Sequence, residues 1–320
     1  MLLFALVRAG LAPNLAAFAR LSDQKIARAL DRAIKDRWIP EFEYAELFTD
    51  LRKLRVGISL ADDKVAEALM SLAGLTTEQM ATVYDTLLVN KGDNNNALDL
   101  LTRNTELGTE TVEQLKNTVD IYQFVGRNLD IVKQLQTQHE IKEPQALTTL
   151  DESAWNAVLA PIAQQLPPSL PGKDAAEKAA NLATRLTGLV EKNYPGGFFA
   201  QRLLADQEMQ STPINAFLTQ NPDFDFTSDT VRERLGDPDS PAETERLEEL
   251  QAVESLFHIL PDDDRYGKFK LLNLQFDHAA ALAATSKSQF RQGFAEDLGG
   301  VAIADSVYSQ AHHLQAKNIA

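Results

Sequence analysis

The sequence contains no cysteine, which excludes disulfides, thiolate nucleophiles and cysteine-ligated metals without fixing a compartment. Its 15 glycines and 13 prolines are no excess in 320 residues, so low-complexity disorder is not indicated. Runs of β-branched residues are scarce beside abundant alanine and leucine, which favours helix over strand throughout. No stretch approaches the roughly 20 apolar residues that a membrane-spanning helix needs. The opening Met1-Leu2-Leu3-Phe4-Ala5-Leu6-Val7-Arg8 lacks a basic leader and a small-residue cleavage site, and reads as a core helix. Positive charge is also short, with 31 Lys/Arg against 46 Asp/Glu and a net charge of −15. That balance speaks against nucleic acid, because phosphate binding needs a basic stripe. Signatures of phosphate, dinucleotide and zincin sites, and of the serine nucleophile elbow, are all missing.

What is present is a chain long enough to bury a full core, as one large domain or two smaller ones. The predicted class is all-α, an irregular multi-helix bundle or solenoid-like stack. Charge is uneven: residues 1–60 carry +3, which leaves −18 for the rest. The positive end is mixed in sign along helices and reads as a solvated face.

One turn recurs. In Leu147-Thr148-Thr149-Leu150-Asp151-Glu152-Ser153-Ala154-Trp155, Asp151 can cap a helix, and Leu150 and Trp155 occupy the two staple positions. In Leu72-Ala73-Gly74-Leu75-Thr76-Thr77-Glu78-Gln79-Met80, Thr76 and Gln79 form a capping box and Leu75 faces Met80. Ser286 and Gln289 repeat the box before Phe290, and Phe226–Val231 keeps a cap and a staple without a leading helix. Leu75, Met80, Leu150, Trp155, Phe224, Phe226 and Phe290 are therefore the predicted structural anchors.

Along the chain, helices are predicted over residues 1–9 and 12–20, from a cap at Ser22 to a stop before Trp38-Ile39-Pro40, and over 41–54, 62–72, 77–88 and 110–125. A short helix over 129–135 follows and runs into 136–142, then a one-turn helix opened by Pro144 and a helix over 152–163. Leu166-Pro167-Pro168-Ser169-Leu170-Pro171-Gly172 is the strongest break, which predicts lobes of 1–165 and 166–320. A long helix over 174–192 is predicted to stop at Pro195, Gly196 and Gly197. Further helices follow over 198–204, 213–218, 242–260, 266–274 and 301–320. The last has no C-cap glycine or proline, which fits a native terminus and a chain cut from something longer equally well.

Candidate chemistry is sparse. His139-Glu140-Ile141-Lys142 begins like a zinc helix but lacks the second histidine, and His312-His313 point about 100° apart on a helix. Asp223, Asp225, Thr227 and Asp229 alternate as in a calcium loop, but Ser228 and Arg234 stand where glycine and glutamate are required. Asp225, Asp229 and Asp262-Asp263-Asp264 read as polar groups near helix starts. Trp38, Trp155, Phe224 and Phe226 could line a pocket, though aromatics at helical spacing are more often core. No catalytic, cofactor-binding or metal-binding residue is assigned, and no cofactor is expected.

Four pieces of the chain resemble the A subunits of insecticidal toxin complexes (Tc toxins) and the related virulence-plasmid A proteins. They are Val119-Asp120-Ile121-Tyr122-Gln123-Phe124-Val125-Gly126-Arg127-Asn128-Leu129-Asp130-Ile131-Val132 leading to the Trp155 turn; Tyr194-Pro195-Gly196-Gly197-Phe198-Phe199-Ala200-Gln201-Arg202-Leu203; Phe217-Leu218-Thr219-Gln220-Asn221-Pro222-Asp223-Phe224-Asp225-Phe226; and Ser286-Lys287-Ser288-Gln289-Phe290 with Leu298-Gly299-Gly300, Tyr308 and Ala311-His312-His313-Leu314. Residues before about 110 match only in general character. The resemblance implies a non-enzymatic segment of the α-helical shell around a toxin translocation channel. It implies as partners other copies or regions of a pentameric A subunit and, through the full complex, B- and C-type components. It implies a secreted toxin complex without a recognisable signal peptide, cytoplasmic before release, with no nucleic acid and no direct membrane span. The family's channel, receptor-binding and neuraminidase-like domains have no counterpart in this chain. The alternatives are a stand-alone helical scaffold that binds protein through its acidic surface and, more remotely, a glycoside hydrolase using a carboxylate pair.

Overall fold

The computed structural model describes residues 23–35, 63–89, 101–102 and 107–319. Expectations for residues 1–22 and 36–62, Trp38 included, and for the Gly92–Asn96 loop lie outside them. Among the described residues every regular element is helical, so the fold is all-α. None of these helices is long and apolar enough to cross a membrane. The chain forms two compact units, one of residues 1–146 and 156–179, the other of residues 147–155 and 180–320.

The first unit is built on aliphatic stripes. Helix α1 (Asp23–Lys35) buries Ile26, Leu30 and Ala33 at i, i+4 and i+7. Helices α2 (Asp63–Leu72) and α3 (Thr77–Val89) are joined by a turn in which Gly74 takes φ +77°. There the Leu75 amide donates to the Met70 carbonyl and the Gly74 amide to that of Ser71, a Schellman closure. The Thr76 amide donates to Gln79 Oε1 at 2.9 Å and the Gln79 amide to Thr76 Oγ1 at 3.3 Å, completing the capping box. Helix α4 (Thr109–Phe124) ends at Gly126, and Asn128 caps α5 (Leu129–Gln138) by accepting from Asp130 and Ile131. The helix expected over 129–135 and running into 136–142 continues to Gln138; Glu140 then adopts φ +55°. Helices α2, α4 and α5 pack on one another around Leu69, Met70, Leu115, Val119, Val132 and Leu135. The proline-rich Leu166–Gly172 belongs to this unit.

Pro144–Thr149 is a 3-10 helix, and Asp151 caps α6 (Glu152–Leu159), accepting from the Ala154 amide at 2.7 Å. The α-form ends four residues earlier than expected and continues as 3-10 over Ala160–Gln165. Pro161 explains it, since its nitrogen carries no hydrogen for the i−4 bond.

In the second unit α7 (Ala175–Asn193) contributes its residues from Ala180 onward. Helix α7 stops at Asn193, just before Pro195 as expected, but the next helix begins three residues earlier than expected: Pro195, Gly196 and Gly197 open α8 (Pro195–Ala205), with Pro195 at N1, where a missing N–H costs nothing. Then come α9 (Pro213–Gln220), α10 (Val231–Leu235), α11 (Pro241–Ile259), α12 (Arg265–Asn273), α13 (Ala279–Ala283), α14 (Lys287–Phe294) and α15 (Val301–Ile319). Helix α11 is central, packing against α9, α10, α12, α13 and α15. Of the anchors, Trp155 and Phe226 are 0% exposed. Leu75, Leu150, Phe224 and Phe290 are also buried, while Met80 is half-buried.

Candidate functional site

The densest chemistry lies in the second unit, where the ends of α7, α8 and α12 meet. Gly196 on α8 approaches the Phe224–Thr227 turn so closely that a Cβ there would stand 2.4 Å from the Thr227 amide nitrogen. Its own amide donates to Thr227 Oγ1 at 3.1 Å, and the Asp225 carboxylate lies against it. Next along α8, Phe199 meets Phe226, Phe257 and Phe269, each with ring centroids 5.1 Å apart. Phe224 bridges Phe217 and Phe226 edge to face, both at 5.0 Å. Such edge-to-face contacts set ring against ring by their quadrupoles as well as by buried area.

Charged groups ring this aromatic stack. The Arg265 amide donates to Glu191 Oε1 at 2.8 Å, and the Arg265 guanidinium pairs with Asp262 at 2.7 Å while lying 4.4 Å over the Phe257 ring. Arg202 pairs with Asp151 at 3.6 Å and stacks 4.5 Å over Phe198. Burial raises the Glu191 carboxyl pKa above its ordinary value and Asp264 adds to this, while the Arg265 amide opposes it. Asp206 behaves in the opposite way: hydrogen bonds from Tyr266 and Lys270 lower its carboxyl to about 2. Burial pushes the Tyr266 hydroxyl well up, and its bond to Asp206 at 2.5 Å adds to that. The Nε atoms of Arg202 and Arg265 and the Trp155 indole nitrogen are buried without a hydrogen-bond partner. These charges neutralise one another and fix helix ends.

The calcium-like stretch is saturated from within the chain. Arg234 binds Asp223 at 2.9 Å and Asp229 at 3.0 Å, Asp229 accepts from the Asp225 amide, and Asp225 accepts from the Thr227 amide. The helix that follows starts with a reciprocal Thr230–Glu233 capping box. In the aspartate run, Asp264 sits at the N-cap of α12 with φ +46° and makes no cap bond, while Asp262 and Asp263 pair with Arg265 and Lys268. Among the described residues no three His, Cys, Asp or Glu side chains gather as a metal set. His139 is the C-cap of α5, and His312 and His313 lie exposed on α15, where His312 meets Tyr308 edge to face.

The sequence reading missed Glu191, Arg202, Asp206 and Arg265. The available signal was cations at inward positions of amphipathic helices, Arg265 and Lys268 directly after three aspartates. Comparison of the chain with protein-family models, curated proteins and solved structures finds no match.

Proposed function

We propose that the chain is a non-enzymatic segment of the α-helical shell of a Tc-like toxin A subunit, a structural part of a translocation complex. One observation carries the reading: in the second unit, the residues that bear the resemblance are spent on packing. Phe199, Leu203, Phe217, Phe224, Phe226, Phe290, Leu298 and Ala311 all belong to one buried cluster. Gly196 of the second piece donates to Thr227, the residue directly after the third, and Tyr308 of the fourth donates to the Thr285 carbonyl at 2.7 Å. Side chains used this way define a wall, which is what a shell requires, and not a reaction. Partners follow from the reading: other regions or copies of the A subunit, and B- and C-type components through the complete assembly.

The test uses the product of the native reading frame in its own producing cells. Antibody against this chain should detect a polypeptide several-fold heavier, and negative-stain images of the purified particle should show five-fold rings. A 35.4 kDa product that stays monomeric would remove the shell reading and favour a stand-alone scaffold.

A further inference from the structure

In the first unit, α2, α4 and α5 leave between them an open cavity of about 300 Å³. That volume lies at the lower end of the range for small-molecule sites, about 300–1,000 Å³. Ser71, Leu72, Ala73 and Gly74 form one wall, and Gln114, Thr118, Gln136, Thr137 and Lys142 supply the polar groups. Thr118 is only 1% exposed, although it stands in a helix where a threonine is a poor filler. Gln136 Nε2 donates to Thr118 Oγ1 at 2.9 Å, which fixes the amide, and leaves Gln136 Oε1 buried with no partner. Exchanging the two amide atoms changes which end is satisfied and leaves the other free. A buried amide end without a partner costs about 1–3 kcal/mol, so an occupant that satisfies it gains binding energy. Among the described residues Lys142 makes no ion pair, and it stands exposed at the rim.

We propose that this cavity binds a small hydroxylated carboxylate of the sugar-acid class. The argument is one of complementary chemistry. Gln114, Thr118, Gln136 and Thr137 are neutral groups of the kind that pair with vicinal hydroxyls; the Gln114 amide donates to Glu110 and the Thr137 hydroxyl to the Lys133 carbonyl, so the free capacity is the acceptor at Gln136 Oε1 with the remaining lone pairs and amide hydrogens. Leu72 and Ala73 offer aliphatic surface for ring C–H groups. Lys142 is the single cation, placed to meet one carboxylate. The inference does not rest on the shell reading and would survive its failure.

The test is calorimetric titration of the full chain with glucuronate, glucose and glucosamine as separate probes. Glucuronate should bind, and glucose should bind about tenfold more weakly for want of the charged contact. Lys142→Glu should abolish the glucuronate preference over glucose, with unaltered helical circular dichroism as its folding control. Gln136→Leu should weaken both by about tenfold, with unaltered helical circular dichroism as the folding control. The proposal is overturned if glucuronate fails to bind up to about 50 mM, well above the roughly 1 mM that about −4 kcal/mol of total binding free energy supports. It is also overturned if binding ignores both substitutions, if glucosamine is preferred, or if only ordered water occupies the cavity.

Discussion

The first unit closes on aliphatic side chains, such as Leu69, Leu115, Val119, Val132 and Leu135, while the second closes on rings, with Phe199, Phe217, Phe224, Phe226, Phe257, Phe269, Phe290 and Phe294 in one cluster. Among the described residues of the first unit, Tyr122 is the sole buried aromatic. The difference governs how each unit holds its loops. Aliphatic stripes need only the 3.6-residue period, so the first unit's turns are closed by local capping bonds at Gly74, Thr76 and Asn128. Rings pack in defined orientations over long sequence separations. The second unit therefore fixes a whole turn, Asn221 to Thr230, by pressing Phe224 and Phe226 into the stack and Asp225 against α8.

Truncation separates the two kinds of core most strongly. Phe226→Ala should cost about 3–5 kcal/mol, because its three ring neighbours are held by other contacts and cannot collapse into the void. Leu115→Ala in the first unit should fall near the low end of the aliphatic range, about 2–3 kcal/mol. Urea unfolding followed by circular dichroism measures both. A larger loss at Leu115 than at Phe226 would break the distinction.

The glycines sharpen it. Gly196→Ala should cost about 1–3 kcal/mol by overpacking, since nothing at the Thr227 amide can give way. Gly74→Ala should cost about 1–2 kcal/mol for a different reason: its φ of +77° is strained for any L-residue, although the space around it is open. Crystal structures of the two variants distinguish the causes. A displaced Phe224–Thr227 turn is expected in the first and an unmoved backbone neighbourhood in the second.

Much of this architecture was legible in the sequence, and what was missed has a common cause. Helices α4, α9, α11 and α15 announce themselves through apolar period and proline or glycine ends, and the Thr76 and Asp151 caps act within three residues. That Pro195-Gly196-Gly197 also opens the next helix is not legible locally, because the reason for Gly196 lies 31 residues away at Thr227. The Glu191–Arg265 contact spans 74 residues, and Gln136 reaches Thr118 across 18. Periodicity carries no information about such pairs. They depend on which helices become neighbours, and that is settled by the whole core.

The smallest effect is electrostatic, and it separates two carboxylates on neighbouring elements of the second unit. Asp206, held at about 2 by Tyr266 and Lys270, binds its proton more weakly folded than unfolded. It therefore contributes stability above its ordinary value of 3.8, which is lost as pH falls toward about 2. Glu191, raised by burial, binds its proton more tightly when folded. Its ionisation costs stability, and that cost appears as pH rises from its ordinary 4.5 through the folded value. Asp206→Asn should accordingly flatten the acid limb of the stability profile between about pH 4 and 2. Glu191→Gln, which keeps an oxygen for the Arg265 amide, should leave that limb unchanged and remove a decline that sets in as pH rises past 4.5. Thermal midpoints recorded from pH 2 to 8 measure both; parallel profiles for the two variants would show that the charges around the aromatic stack are interchangeable, and the opposed roles of Asp206 and Glu191 would fall.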